Sequence, residues 1–298
     1  MLINTWKGKK SPPLVPNVPV RAADGGSVVG TSIQTNPTEE IPMVASPKVI
    51  SPAPFMGIIM LDTTFPRIKG DIGNPATFDF PVQYQVVKNA SVERLVIKAD
   101  ENLIQPFIDT GRDLINSGAI ALGTSCGFLA LFHKALITAL DVPVFSSSLL
   151  QVHLARTILK SGQKVGIITA RKSALTRKHL NAIGIEDIPM AIQGMDQARE
   201  FTEVFIQGKT TLDEALCRRE MAAAARELIT THPEVGPIVL ECTNMPPYAN
   251  EIRQVTGRLV FDVTTLINTA WASLLPINIS SCAGSNYLLR INNTNVIN

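Results

Sequence analysis

The 298-residue chain predicts an α/β protein built from two similar halves, each an open, parallel-type sheet covered by helices. Short, continuously apolar runs alternate with stretches of helical pattern, as expected for βαβ units whose strands are buried on both faces. The order apolar strand, cysteine, helix occurs twice, in residues 119–128 (AIALGTSCGF) and 237–248 (PIVLECTNMPPY). From each cysteine the chain then travels 19 residues to a phenylalanine in another apolar run, Cys126 to Phe145 and Cys242 to Phe261.

The length suits two domains of ordinary size, each able to bury its own core. No apolar run approaches the roughly 20 residues of a membrane-spanning helix, and the first residues lack the apolar stretch of a secretory signal. A cytoplasmic location without membrane contact is the expectation. The net charge of +2 lies in the first 54 residues, where Lys7, Lys9, Lys10, Arg21 and Lys48 outnumber Asp24, Glu39 and Glu40. The remainder is neutral, which argues against a nucleic-acid partner. Four widely spaced cysteines with no C-x-x-C pattern argue against structural zinc, and a cytosolic setting argues against disulfides.

Residues 1–54 hold nine of the 20 prolines and almost no periodicity, so a disordered extension is expected there. Order begins with the apolar run 55–61 (FMGIIML), which ends at Asp62. Residues 63–81 are rich in turn formers, and loops of that length are usually functional. Arg67 and Lys69 in this loop are candidate ligands for a distal carboxylate, although solvated charges are the commoner case. Residues 93–98 (ERLVIK) read as a strand, 103–116 as a helix, 128–140 as the helix after Cys126, and 142–145 as a strand.

The pattern restarts with a helix at 149–159 and a buried strand at 164–169 (KVGIIT), whose Gly-Ile-Ile repeats Gly57-Ile58-Ile59. Helices follow at 173–182, 197–205 and 211–230, with a short strand near 190–192. The second cysteine strand leads to a helix at 248–255, a strand at 258–261 and a last helix at 265–274. The expected organisation is a first domain of residues 55–147 plus 262–298 carrying Cys126, and a second of residues 148–261 carrying Cys242.

Ligands of open α/β sheets bind beyond the carboxyl ends of the strands, where both cysteines are expected. A helix start there favours a thiolate and offers backbone N–H groups to a carboxylate or a developing enolate. Two sulfurs flanking one carbon from opposite sides would meet the requirement for two-base proton transfer. Cysteine is also one of the most buried residue types. Packing is accordingly the expected role of Cys217, and Cys282 carries no signal. His133, His153 and His179 fall in predicted helices without partner patterns and are read as packing or surface residues.

Gly123-Thr124-Ser125-Cys126-Gly127, Glu241-Cys242-Thr243-Asn244 and the strand ending in Asp62 resemble the aspartate/glutamate/hydantoin racemase superfamily, over about residues 55–275. That resemblance implies two flavodoxin-like domains related by a pseudo-twofold axis, no metal and no pyridoxal cofactor, and Cys126 and Cys242 as the acid/base pair. It implies Thr243 as a substrate-carboxylate ligand, with Asp62, Thr63, Ser125, Gly127 and Asn244 as further substrate contacts. Glutamate racemases resemble C-N-T after the first cysteine and G-C-T-H around the second; Cys126-Gly127-Phe128 and Cys242-Thr243-Asn244 depart from both and weaken a glutamate-specific reading. The expected activity is a cofactor-independent racemase or epimerase of a small carboxylate such as an acidic amino acid. Hydantoin racemase, maleate cis-trans isomerase and a non-catalytic carboxylate-binding protein are the alternatives, and homo-oligomerisation is left open.

Overall fold

The computed structural model of the chain describes residues 53–274. The extension expected over residues 1–54 lies, but for its last two residues, outside the described residues, as do Cys282 and residues 275–298. Two four-stranded sheets are present, and every strand pairing in them is parallel. The first contains β1 (Phe55–Met60), β2 (Val82–Val86), β3 (Ala119–Thr124) and β4 (Val144–Phe145), in the order β2-β1-β3-β4. The second contains β5 (Lys164–Thr169), β6 (Met190–Gly194), β7 (Val235–Leu240) and β8 (Val260–Phe261), in the order β6-β5-β7-β8. The two halves therefore repeat one crossover pattern.

All residues of β1 and β7 are buried, which is why both appear in the sequence as unbroken apolar runs. The helices are α1 (Ile104–Asn116), α2 (His133–Ala139), α3 (Val152–Thr157), α4 (Arg177–Ala182), α5 (Arg199–Phe205), α6 (Glu214–Thr231), α7 (Ala249–Thr256) and α8 (Val263–Leu274). The repeated glycine of β1 and β5 has one job in both halves. A Cβ on Gly57 would stand 2.7 Å from Leu122 and 3.2 Å from Leu114 of α1; one on Gly166 would stand 2.8 Å from Val235 and 3.0 Å from Leu228 of α6. Only a residue without a side chain lets each helix pack this close to its sheet.

One hydrophobic cluster runs through both halves, from Phe55, Ile59 and Leu122 to Ile167, Val239 and Leu228. A second covers the other face of the first sheet, where Met56, Ile58, Met60 and Ala121 meet Val263, Ile267 and Ala270 of α8. The last described helix thus returns to the first sheet, and Ile72 and Phe78 of the 63–81 segment join it there. Among the described residues no helix is long and apolar enough to cross a membrane.

Residues 93–98 are not a strand: Glu93–Ile97 forms a π-helical turn. Its two buried residues, Leu95 and Val96, are adjacent rather than alternating, and Glu93 and Lys98 pair across the turn at 2.7 Å. The edge position belongs instead to β2, whose half-exposed VQYQV lacks the apolar signal of a central strand. The helix expected over 128–140 is split into a 3₁₀ segment, Gly127–Phe132, and the short α2.

Candidate active site

The repeat places the two cysteines equivalently. The Ser125 N–H donates to the Ile59 carbonyl at 3.0 Å, and the Glu241 N–H donates to the Ile168 carbonyl at 2.8 Å, so each central strand pair aims the next residue, Cys126 or Cys242, past the sheet edge. Each cysteine carbonyl then accepts from an amide three residues on, Leu129 or Met245, at 3.1 Å. Proline at the start of the 3₁₀ helix Pro246–Tyr248 costs no donor at that position.

Both cysteines, Cys126 buried and Cys242 part-buried, line one narrow cavity of about 20 Å³, with Thr63, Phe65, Arg67, Phe128 and Glu241 in its wall. That is room for about one water molecule. A more open chamber of about 400 Å³ lies outside it, lined by Asp62, Thr63, Thr64, Phe65 and Gln207 among others. Phe65 and Ile206 wall both spaces. The Phe65 ring packs edge-on against Phe205 at 5.2 Å, with the Arg67 guanidinium 4.7 Å above its face. Phe65→Ala is expected to join the two spaces, so that a neutral thiol reagent labels Cys242 faster than in the wild type; unchanged labelling in native buffer would show that Phe65 is not the divider.

Hydrogen bonds tie the halves together around the cavity. The Thr243 hydroxyl donates to the Ser125 carbonyl of the other half at 2.6 Å, while within the second half the Ser148 hydroxyl donates to the Leu240 carbonyl at 2.6 Å. The Asn244 carboxamide donates to Asp71 Oδ2 at 2.6 Å and accepts from the Cys242 thiol at 3.4 Å. Asp71 also accepts from Arg67 at 2.7 Å and from the Gly73 N–H at 2.8 Å. Arg67 reaches Thr63 Oγ1 at 2.9 Å. Glu241 is fully buried; its Oε2 accepts from Thr169 at 2.9 Å and from the Ala170 N–H at 3.2 Å, whereas Oε1 has no partner.

The electrostatics correct one expectation. The backbone amides of the turn starts do favour the thiolates, those of Phe128 and Leu129 at Cys126 and that of Asn244 at Cys242. Burial and the Glu241 carboxylate oppose them, and both thiols are pushed well above their ordinary range. Desolvation outweighs a few N–H dipoles in so narrow a space. Burial likewise raises the Glu241 carboxyl from 4.5 to about 7, against the two bonds to Oε2.

A carboxyl raised in this way keeps its proton in the folded chain after the unfolded chain has lost it. Stability therefore falls as pH rises from 4.5 to about 7 and stays low above that window. Glu241→Gln is expected to remove this dependence: between about pH 4 and about pH 8 the wild type should lose on the order of 3 kcal/mol relative to the variant in urea melts.

Of the residues singled out in the sequence, Cys126, Cys242, Thr63, Ser125, Gly127, Thr243 and Asn244 all line the cavity. Asp62 does not; it is exposed, in the wall of the outer chamber. The Thr243 and Ser125 hydroxyls are committed within the protein, Ser125 Oγ accepting from the Leu61 N–H at 2.8 Å. Gly127 packs on Glu241, whose oxygens an added Cβ would overlap. Cys217 is buried in α6, and His133 bonds to Ser146 Oγ at 2.9 Å, away from the thiols.

Sequence reasoning missed Glu241, Asp71 and Phe65. A carboxylate closing a run of apolar strand residues was a legible signal for Glu241; Asp71 had none, since its partner Asn244 is 173 residues away. Among the described residues no group of three or more His, Cys, Asp or Glu is arranged to hold a metal ion.

A family model described as Asp/Glu/Hydantoin racemase matches residues 98–270. The chain is similar to dimethylsulfoniopropionate lyase 3 of Emiliania huxleyi (strain CCMP1516), 27% identical over 236 residues covering 76% of this chain and 61% of that protein. It is also similar to the dimethylsulfoniopropionate lyase of Durusdinium sp. clade D, 27% identical with 70% of each chain covered. The match thus spans about three fifths of the Emiliania protein, at 61% of its length. Among solved structures, a glycine-to-cysteine variant of arylmalonate decarboxylase in a sulfate-associated form superposes with a TM-score of 0.53 at 16% identity, covering 78% of this chain and 94% of that one. The unliganded arylmalonate decarboxylase gives 0.51 at 14% identity, with 74% and 92% covered. These two share the fold.

Proposed function

The chain belongs to the Asp/Glu/hydantoin racemase family, and from that premise we propose that it is a cofactor-independent enzyme that removes the α-proton of a small carboxylate with a cysteine thiolate. The observation that carries this is the pair of thiols, one from each half, lining a single narrow cavity. A desolvated thiolate is a strong base once formed, and a narrow cavity that limits the access of water protects a carbanion from random quenching.

The favoured outcome of proton removal is β-elimination from a sulfonium carboxylate of the dimethylsulfoniopropionate type, the substrate named for the relatives of this chain. The thiolate takes the α-proton, the C–H electron pair becomes the Cα–Cβ double bond, and the Cβ–S pair leaves on sulfur as neutral dimethyl sulfide. Acrylate and a protonated thiol remain. Racemisation is the second reading, favoured by the equivalent placement of the two cysteines at the ends of β3 and β7. Thiol return of a proton from the far side replaces the elimination step in that case. The packing of α8 on the first sheet supports assigning residues 55–147 with 262–274 to one domain and 148–261 to the other; residues 275–298, expected in the first domain, lie outside the described residues.

The test is to incubate the chain with dimethylsulfoniopropionate and measure dimethyl sulfide and acrylate. Aspartate, glutamate, hydantoins and maleate are followed in parallel for deuterium uptake from D₂O and for isomerisation. Dimethyl sulfide and acrylate in equal amounts support the lyase reading; α-deuterium without them supports racemisation; substrate binding without either sinks both.

A further inference from the structure

We propose that Glu241 is the specificity residue that receives a cationic group of the substrate, through its unpartnered Oε1, while Arg67 receives the substrate's carboxylate. This rests on the small-carboxylate reading above and narrows it to zwitterions.

The repeat separates what Glu241 does for the fold from what it does not. In the first half, the residue before the cysteine is Ser125, and its Oγ accepts the N–H of Leu61, which directly follows β1. In the second half the equivalent residue is Glu241, and its Oε2 accepts the N–H of Ala170, which directly follows β5. A single hydroxyl oxygen is enough for that bond, so the second carboxylate oxygen has no structural task. Oε1 is buried and has no partner, although buried carboxylate oxygens are normally satisfied. Among the other buried carboxylates of the described residues, both oxygens of Asp71 are bonded, through Arg67, Gly73 and Asn244, as are both of Glu200, through Lys209 and the Asp213 N–H, while Asp262 accepts from Thr264 and Thr265 on Oδ1 and meets Arg253 at 4.0 Å on Oδ2.

The cavity wall supplies the complementary charge. Among the described residues that line it, Arg67 is the one cation and Glu241 the one carboxylate. The charges of that wall complement a short molecule with a carboxylate at one end and a sulfonium or ammonium at the other, which would enter by widening the cavity toward the outer chamber past Phe65. A buried charge is retained at low cost only when paired, and the cation would pair the one oxygen that the fold leaves unpaired. The same cation would offset the negative field of Glu241 on the two thiols and so ease thiolate formation when substrate is present.

The experiment uses two probes of one shape, β-trimethylammonium propionate, whose amine is a poorer leaving group than dimethyl sulfide, and its tert-butyl isostere 4,4-dimethylpentanoate, neutral at the end where the first is cationic, titrated calorimetrically into wild type and Glu241→Gln. The carboxamide oxygen preserves the bonds from Thr169 and Ala170. The wild type should bind the cation about tenfold tighter or more. The variant should bind both probes alike, with its affinity for the neutral probe unchanged. A cation preference that survives in Glu241→Gln, or is absent from the wild type, overturns the assignment. So does a variant that keeps both affinities but loses proton abstraction, because Glu241 would then be a base.

If the variant does not fold, the wild type decides by pH. The groups facing Glu241 are the Cys126 and Cys242 thiols and Arg67, with His179 behind Phe128. The thiols are pushed up and His179 is pushed down by burial, so the carboxyl titrating near neutrality is Glu241. Affinity for the cationic probe should rise with pH through that range and affinity for the neutral one should not; parallel behaviour overturns the assignment. Dimethyl sulfide release distinguishes the two failures. Turnover with no Glu241-dependent preference sinks only this inference, whereas a wild type that neither binds the probes nor turns over substrate sinks the carboxylate reading with it.

Discussion

Replacing Cys242 or Cys126 by serine is expected to lower kcat by roughly 10²–10⁴-fold in at least one of the two variants, the range that a positioned acid or base supplies. Serine keeps the size class and a hydroxyl donor but ionises far less readily than a thiol, so it cannot serve as the base. The fold should survive, because the strand ends are fixed by backbone bonds from Ser125 to Ile59 and from Glu241 to Ile168, which neither substitution touches. Comparing the two variants separates the outcomes. Elimination requires only the thiolate that faces the α-carbon, because dimethyl sulfide leaves as a neutral molecule; one variant should be inactive and the other should retain measurable dimethyl sulfide release. Racemisation requires both thiols, so each variant should lose it. Two fully active variants would remove the cysteines from the chemistry.

Asp71→Ala should cost about 3–5 kcal/mol in urea unfolding, the cost of breaking a buried ion pair from one side. The Asp71 carboxylate is 2% exposed and holds three donors, the Arg67 guanidinium and the Gly73 N–H of its own loop and the Asn244 carboxamide of the second cysteine loop. Its removal leaves Arg67 without its ion-pair partner and frees the carboxamide that accepts from the Cys242 thiol. Asp71→Asn should cost less, since it keeps the volume and one acceptor oxygen. A loss below about 1 kcal/mol for the alanine variant would mean that solvent screens the pair as it does at a surface.

What was legible in the sequence follows from burial. β1, β5 and β7 are central strands and appear as apolar runs, so their places, and those of the cysteines beyond β3 and β7, could be read directly. β2 is an edge strand whose polar residues face solvent, and the run ERLVIK mimicked a strand because Leu95 and Val96 bury one side of a tight helical turn. The site was half legible. The cysteines and their neighbours could be found from the repeat, whereas the Asp71–Asn244 bond exists only because the 63–81 segment folds onto the second cysteine loop. The effect of the turn starts on the thiols was anticipated in direction, but how strongly the narrow cavity would oppose it depends on tertiary packing that no local pattern encodes.

In the proposed reaction a thiolate at this cavity removes an α-proton. The measurement that tests it most directly is proton NMR of dimethylsulfoniopropionate incubated in D₂O with wild type, Cys126→Ser and Cys242→Ser, following acrylate, dimethyl sulfide and deuterium at the α-carbon of residual substrate. Acrylate and dimethyl sulfide are expected in equal amounts with the wild type, and their loss in at least one serine variant that remains folded. Bound substrate that yields neither product nor α-deuterium with the wild type, or product formed equally well by all three proteins, would contradict it.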